Sequence, residues 1–181
     1  MPQLHAPMRN TPDNHPLACF LTFTTYGTWL HGDERGSVDH ATASFDAPVL
    51  NPNPMRHAAM RRNLEGQPVV LGARLRSEIE AAIRQTCDAK GWTLEAINVR
   101  TNHVHVVVAA MVVPERLLTT LKAWATRRCR EAGLIGPREK LWTRHGSTRY
   151  LWTERDIETA CEYVLYGQGD DLPWRGQSAP G

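Results

Sequence analysis

Two histidines separated by one residue stand in a run of β-branched apolar residues, Asn102-His103-Val104-His105-Val106-Val107-Val108. Such a run predicts a buried strand. Because side chains alternate between the two faces of a strand, His103 and His105 point to the same side. Two neighbouring imidazoles can ligate one metal ion, whereas a helix would need a spacing of about four residues. The pattern therefore predicts a metal site on one face of a sheet.

A structural role is the alternative for this pair. Either histidine could be a core or surface residue bonded to a backbone carbonyl, but the shared face favours metal ligation. His40, His57 and His145 are further candidate ligands, and nothing in their spacing singles one out.

A tyrosine near the end of the chain is the second candidate for chemistry. It lies in Glu162-Tyr163-Val164-Leu165-Tyr166-Gly167-Gln168. Apolar residues repeat at helical spacing just before and through this run, and Tyr163 lies at the edge of their stripe: Ile157, Ala160, Cys161, Val164 and Leu165. Tyr163 is either an amphipathic residue with its hydroxyl in water or a nucleophilic phenolate that attacks phosphorus beside a metal ion.

The elements that must hold these residues alternate between strand and helix patterns. The sequence first predicts a strand over 19–26, a helix that ends at Gly91, a strand over 92–100, and a Thr101-Asn102 turn into the histidine strand. After this hairpin it predicts a helix from Pro114 to Gly133, one or two strands over 141–152, and a helix from Thr153 to about Tyr166. On the Pro114 helix, Leu117, Leu118, Leu121, Trp124 and Ala125 are expected inside, with Arg116, Lys122, Arg127 and Arg130 outside. Asp156, three residues after Thr153, predicts a capping box.

The tight central hairpin favours an α+β fold, with a central antiparallel sheet and helices packed on it in a ferredoxin-like sandwich. We expect a flexible N-terminal arm over 1–17, one domain over 18–168 with a loop-rich insertion over about 27–70, and a loose tail over 169–181.

Charge is distributed unevenly along the chain. Residues 71–153 carry fourteen basic and seven acidic residues, although the whole chain has a net charge of only +2. Most of these basic residues are arginines, whose planar guanidinium suits phosphate. A solvated basic surface is the alternative interpretation. Four dispersed cysteines indicate reduced, buried thiols, and no apolar run is long enough for a membrane span, so we expect a cytoplasmic protein.

The sequence resembles a known family. His-Val-His on a central strand, then a basic helix, then a helix with Glu-Tyr-Val is similar to the single-tyrosine transposases of the HUH (His-hydrophobe-His) endonuclease superfamily, and most of all to the REP-associated tyrosine transposases. The run Phe23-Thr24-Thr25-Tyr26-Gly27-Thr28-Trp29-Leu30-His31-Gly32-Asp33-Glu34-Arg35-Gly36 also resembles the start of such proteins. The resemblance covers about residues 18–168.

The resemblance implies a DNA strand-transferase that cuts and rejoins single-stranded or hairpin DNA through a 5′-phosphotyrosine, acting as a monomer or homodimer. It implies that Tyr163 is the nucleophile, with Tyr166 as a rival, and that His103 and His105 bind Mg²⁺ or Mn²⁺. The family often has a polar third ligand four residues after the tyrosine; Gly167 stands there, so Gln168 becomes the candidate. The predicted DNA contacts are Arg116, Lys122, Arg127, Arg130, Arg144 and Arg149, with Trp142 and Trp152 as stacking planes for unpaired bases.

Two other functions fit the sequence. The first is a catalytically inactive relative that recognises structured single-stranded DNA. The second, a small metal-dependent hydrolase that uses the histidines without the tyrosine, fits less well, because no carboxylate lies near the histidines in sequence.

Overall fold

The computed structural model describes residues 15–28, 55 and 66–168, which form an antiparallel sheet with helices on both faces. The strands are β1 (Ala18–Thr24), β2 (Thr93–Val99), β3 (His103–Ala109) and β4 (Ser147–Leu151), and the helices are α1 (Ala73–Lys90), α2 (Pro114–Glu131) and α3 (Glu154–Tyr166). The predicted arm, the tail and nearly all of the insertion lie outside the described residues.

The sheet has the strand order β2-β3-β1-β4, and every neighbouring pair is antiparallel. With the element order βαββαβ, this is the ferredoxin-like arrangement, so the predicted α+β class and antiparallel sheet are confirmed. A third helix follows β4. The predicted hairpin between β2 and β3 is present, and Gly91 ends α1 in the left-handed region at a φ of 65°.

The larger core lies between α1, α2 and one face of the sheet. Val104, Val106 and Val108 of β3 point into it and are fully buried. Alternate β1 residues, Leu21 and Phe23, join them from the neighbouring strand. Because successive side chains of a strand point to opposite faces, the odd-numbered residues of β3 face the other side of the sheet.

That opposite side is covered by α3. Val107, Ala160 and Val164 form a second, smaller core there. The predicted capping box starts α3: the Thr153 side chain accepts from the Asp156 backbone, and the Asp156 carboxylate accepts from the Thr153 backbone. The helix begins directly after β4, so its start is fixed on the sheet. Leu165, expected in the apolar stripe, is instead 48% exposed.

The four cysteines are free thiols, and Cys19, Cys87 and Cys129 are buried as expected. Burial raises the pKa of each of these three thiols to about 11. Among the helices that the structure describes, none combines the length and the apolar character required to cross a bilayer.

The predicted faces of α2 are wrong at two positions. Trp124, expected inside, is 45% exposed and stacks with Arg127, whereas Lys122, expected outside, is only 9% exposed. Lys122 lies four residues after Leu118 and three before Ala125, so it continues the inner stripe. Its ammonium donates to the carbonyls of Thr143 and His145 at 2.9 and 2.8 Å. Burial lowers the pKa of Lys122 to about 8, so the group remains charged at pH 7.

Lys122 therefore supports the loop before β4, and its loss should destabilise the fold. We expect Lys122→Ala to reduce the free energy of unfolding by roughly 2–4 kcal/mol, because two carbonyls lose a charged donor. Arg127→Ala, on the same helix, is the control: its ion pair with Glu131 is exposed and should contribute about 1 kcal/mol or less. Urea unfolding measures both. Equally small effects would contradict the buried position of Lys122.

Candidate active site

The two histidines of β3 lie side by side on the face that α3 covers. Their ring centroids are 4.6 Å apart, with an angle of 74° between the planes. On the neighbouring strand, Thr22 pairs with His105 and Thr24 with His103. His105 is 6% exposed, and His103 is partly exposed at the end of the strand. The predicted shared face is therefore confirmed.

In each of the two imidazole rings, one nitrogen is hydrogen-bonded to a side-chain oxygen. His103 Nδ1 lies 2.7 Å from Asn102 Oδ1, and His105 Nδ1 lies 2.8 Å from Thr22 Oγ1. Because an amide oxygen only accepts hydrogen bonds, His103 donates from Nδ1, and the neutral form of the ring then has its lone pair on Nε2. In metal sites, a hydrogen bond to the ring nitrogen that does not bind the metal commonly fixes the orientation of the histidine.

His105 is held in its neutral form. Burial, with a smaller contribution from the neighbouring His103, lowers its pKa to about 3, while a hydrogen bond with the Gln168 side chain acts in the opposite direction. Arg100 makes a smaller contribution in the lowering direction. At neutral pH His105 therefore has the deprotonated nitrogen that a metal ion requires.

Tyr163 reaches this face from α3. Its ring centroid lies 5.8 Å from that of His105 and 6.0 Å from that of Phe20, and the residue is 47% exposed. Phe20 also packs against His105, with centroids 5.4 Å apart. The side chain of Asn98 donates to the carbonyl of Val164 at 2.8 Å, which attaches α3 to β2 beside the tyrosine. Tyr166 is 82% exposed, and among the described residues it packs against neither Phe20 nor His105.

Gln168 lies just beyond the end of α3 and is folded back onto the site. Its Nε2 donates to the carbonyl of Tyr163 at 3.1 Å, and its side chain is hydrogen-bonded to His105. The structure thus brings together His103, His105, Tyr163 and Gln168, the residues that the family resemblance singled out; their metal-binding and catalytic roles stay predictions.

These side chains suit a divalent cation. Two imidazole nitrogens and an amide oxygen form a partial ligand set, and phosphate oxygens of a substrate would supply the hard ligands that Mg²⁺ and Mn²⁺ prefer. Within the described residues, no three His, Cys, Asp or Glu side chains form a metal-binding group. His145 therefore does not join the pair in such a group, and His40 and His57 lie outside the described part of the chain.

The predicted DNA-binding residues are divided between the two faces of the sheet. Arg149 on β4 pairs with Phe20, so it lies on the histidine face. Arg144 is exposed in the loop before β4. Arg116, Arg127 and Arg130 are exposed on α2, which packs on the opposite face. Lys122 is buried and has no surface for DNA.

Three further residues of the site, Thr22, Phe20 and Asn98, were not predicted from the sequence. The alternation of β1 put Phe20 and Thr22 on one face, but only the pairing register shows that this is the histidine face. Trp142, expected to stack on bases, is instead structural: its Nε1 donates to Thr126 and to the carbonyl of Lys122, and its ring packs edge-on against Phe23.

The neutral state of His105 predicts a pH dependence of stability in the metal-free protein. An unfolded histidine binds a proton below about pH 6.5, whereas folded His105 does not until about pH 3. Its contribution is therefore complete above pH 6.5 and decreases as the pH falls. Between pH 7 and pH 5 the loss should be about 2 kcal/mol. His105→Phe, unfolded by urea with EDTA present, should show a correspondingly smaller decrease. Equal decreases in both proteins would contradict the buried neutral imidazole.

Comparison with known proteins identifies the family to which this chain belongs. The crystal structure of a candidate transposase from Deinococcus radiodurans R1 is similar at 16% identity and a TM-score of 0.48, with 86% of this chain and 94% of that chain covered. No curated protein sequence matches. The family model described as "Transposase IS200 like" matches residues 64–164, more than half of the chain, and these include both histidines and Tyr163. The chain belongs to the IS200-like transposase family.

Proposed function

We propose that this transposase cleaves and rejoins single-stranded or hairpin DNA through a covalent bond to Tyr163. The observation that carries the proposal is the half-exposed Tyr163 ring, 5.8 Å from the buried, neutral imidazole of His105. A phenol beside paired imidazoles on a sheet face suits attack on phosphorus, since nucleophile and metal ligands can meet the same phosphate.

In the proposed reaction, the Tyr163 oxygen attacks the scissile phosphorus and loses its proton. The bond from phosphorus to the 3′ oxygen breaks, and the departing strand takes up a proton as its 3′-hydroxyl. The 5′ end remains on Tyr163 as a phosphodiester. Attack by a 3′-hydroxyl on this diester rejoins the strand and frees the tyrosine, so neither step requires a nucleotide cofactor.

His103, His105 and Gln168 would hold Mg²⁺ or Mn²⁺, which when bound would polarise the scissile phosphate. The contacts to Asn102 and Thr22 support this role, because they fix the orientation of both rings before any ligand arrives. The ligand set includes no carboxylate, so a substrate phosphate meets little competing negative charge.

Arg149 is the best-placed residue for holding the phosphates next to the scissile bond, because it shares the face of Phe20 and His105. Arg144, in the loop held by Lys122, extends the positive surface at the edge of the sheet. The exposed rings of Tyr150 and Trp152, with centroids 6.0 Å apart, offer stacking planes for unpaired bases at the β4 edge of the sheet, although Tyr150 pairs with Cys19 and so lies on the face opposite the histidines. Arg116, Arg127 and Arg130 would meet DNA only beyond the site, on the other face.

Tyr163→Phe tests the nucleophile. The variant lacks one hydroxyl but keeps the ring that packs on Phe20 and His105, so stability and DNA affinity should change little. Covalent adduct formation on hairpin DNA should fall to background, because phenylalanine has no nucleophilic atom. Tyr166→Phe, one turn away, is the matched control and should retain the adduct. The readout is a denaturing gel with labelled DNA and Mg²⁺ or Mn²⁺. An adduct with Tyr163→Phe would reject the assignment.

The histidine pair is tested by the metal dependence of cleavage. His103→Ala and His105→Ala should each lower the rate at saturating DNA by at least about a hundredfold, because a catalytic metal contributes several kcal/mol. DNA affinity should remain close to that of the unmodified protein, since arginine–phosphate contacts supply most of it. Cleavage with Mn²⁺ and with EDTA, alongside fluorescence anisotropy, separates the two effects. Unchanged cleavage by the double variant would remove the metal site from the account.

A further inference from the structure

The end of α3 is tied to the site by contacts that all involve its last turn. The carbonyl of Tyr163 accepts two hydrogen bonds, from the Gly167 backbone at 2.9 Å and from Gln168 Nε2 at 3.1 Å. The next carbonyl, that of Val164, accepts from Asn98. Carbonyls at the end of a helix lack partners within it, and here a turn and a sheet residue provide them.

Gly167 is in close contact with Tyr163. A Cβ atom at position 167 would lie 2.9 Å from Tyr163 Cδ2, 2.9 Å from its carbonyl oxygen and 3.0 Å from its Cα. Two of these three atoms belong to the backbone of α3 and cannot rotate away. The φ of Gly167 is −86°, which any residue can adopt. The need for glycine therefore comes from space and not from the backbone dihedral.

We propose that Gly167 is a positioning residue for the candidate active site: its missing side chain allows the close turn that returns Gln168 to Tyr163 and His105. A side chain at position 167 must displace either the turn or the Tyr163 ring. Displacing the turn withdraws Gln168 from His105, and displacing the ring disturbs its packing on Phe20 and His105. This inference rests on the proposed function of these residues.

The position of the side-chain amide along the chain should also matter. Moving it one residue earlier, with Gly167→Gln and Gln168→Gly together, keeps the composition of the site but puts a Cβ into the contact with Tyr163. We expect this exchange to weaken Mn²⁺ binding as much as Gln168→Ala does, because both remove the amide from His105.

The test compares Gly167→Ala, Gln168→Ala and their double variant in the full chain. Mn²⁺ alone is the probe. Gly167→Ala and Gln168→Ala should each weaken Mn²⁺ binding about tenfold or more, and the double variant should be no weaker than Gln168→Ala, because both act through the same amide. Gly72→Ala is the matched control, since Gly72 also lies at a helix end, at a φ of −67°, with nothing within 4 Å of the added Cβ.

A second readout needs neither metal nor activity. In nitrogen-edited NMR spectra of the metal-free protein, Gly167→Ala should move the Gln168 side-chain amide signals towards those of a solvated amide, and Gly72→Ala should leave them in place. Unchanged amide signals in Gly167→Ala, or additive losses of Mn²⁺ affinity in the double variant, would overturn the role of Gly167. If the unmodified protein neither binds Mn²⁺ nor forms an adduct, the proposed function fails, and the amide signals still decide the question for Gly167.

Discussion

The alternation of side chains along β3 is the constraint on which the site depends. Val104, Val106 and Val108 must remain in the larger core, and each is fully buried there. A shift of register by one residue would remove all three valines from the larger core and bury the imidazoles there among apolar side chains, at a cost of several kcal/mol. The burial of the valines therefore fixes His103 and His105 on the opposite face. The requirements of the core and of the site are met by the same strand.

The second requirement is that the tyrosine helix returns to that face. The capping box at Thr153 starts α3 directly after β4, and Ala160 and Val164 pack onto the sheet. This smaller core leaves Tyr163 at its rim, beside His105 and still open to a substrate. Asn98 and the turn at Gly167 secure the other end of the helix. The site is thus built on regular elements, which hold catalytic groups more rigidly than loops do.

Much of this arrangement follows from the sequence. Period-two alternation predicts the histidine face, and Thr153 with Asp156 predicts the start of α3. The hairpin favours the antiparallel sheet. The inner face of α2 could not be predicted correctly, because the sequence pattern assigns the charged Lys122 to the outside. The carbonyls that accept its hydrogen bonds come from a loop about twenty residues away in the chain, which the pattern of the helix does not reveal. Thr22 and Asn98 were missed for a related reason: their partners are set by strand register and helix docking, which local periodicity does not specify. The proximity of Gln168 to His105 was expected only from family resemblance.

The most direct test of the account is to locate the DNA on the protein. A covalent adduct formed on hairpin DNA with Mn²⁺ can be digested with trypsin, and the peptide that follows Arg155 contains both Tyr163 and Tyr166. Fragmentation between these two residues in a mass spectrometer identifies the modified tyrosine. The account predicts a nucleotide on Tyr163 alone. A nucleotide on Tyr166, or no adduct from the unmodified protein with Mg²⁺ or with Mn²⁺, would contradict it.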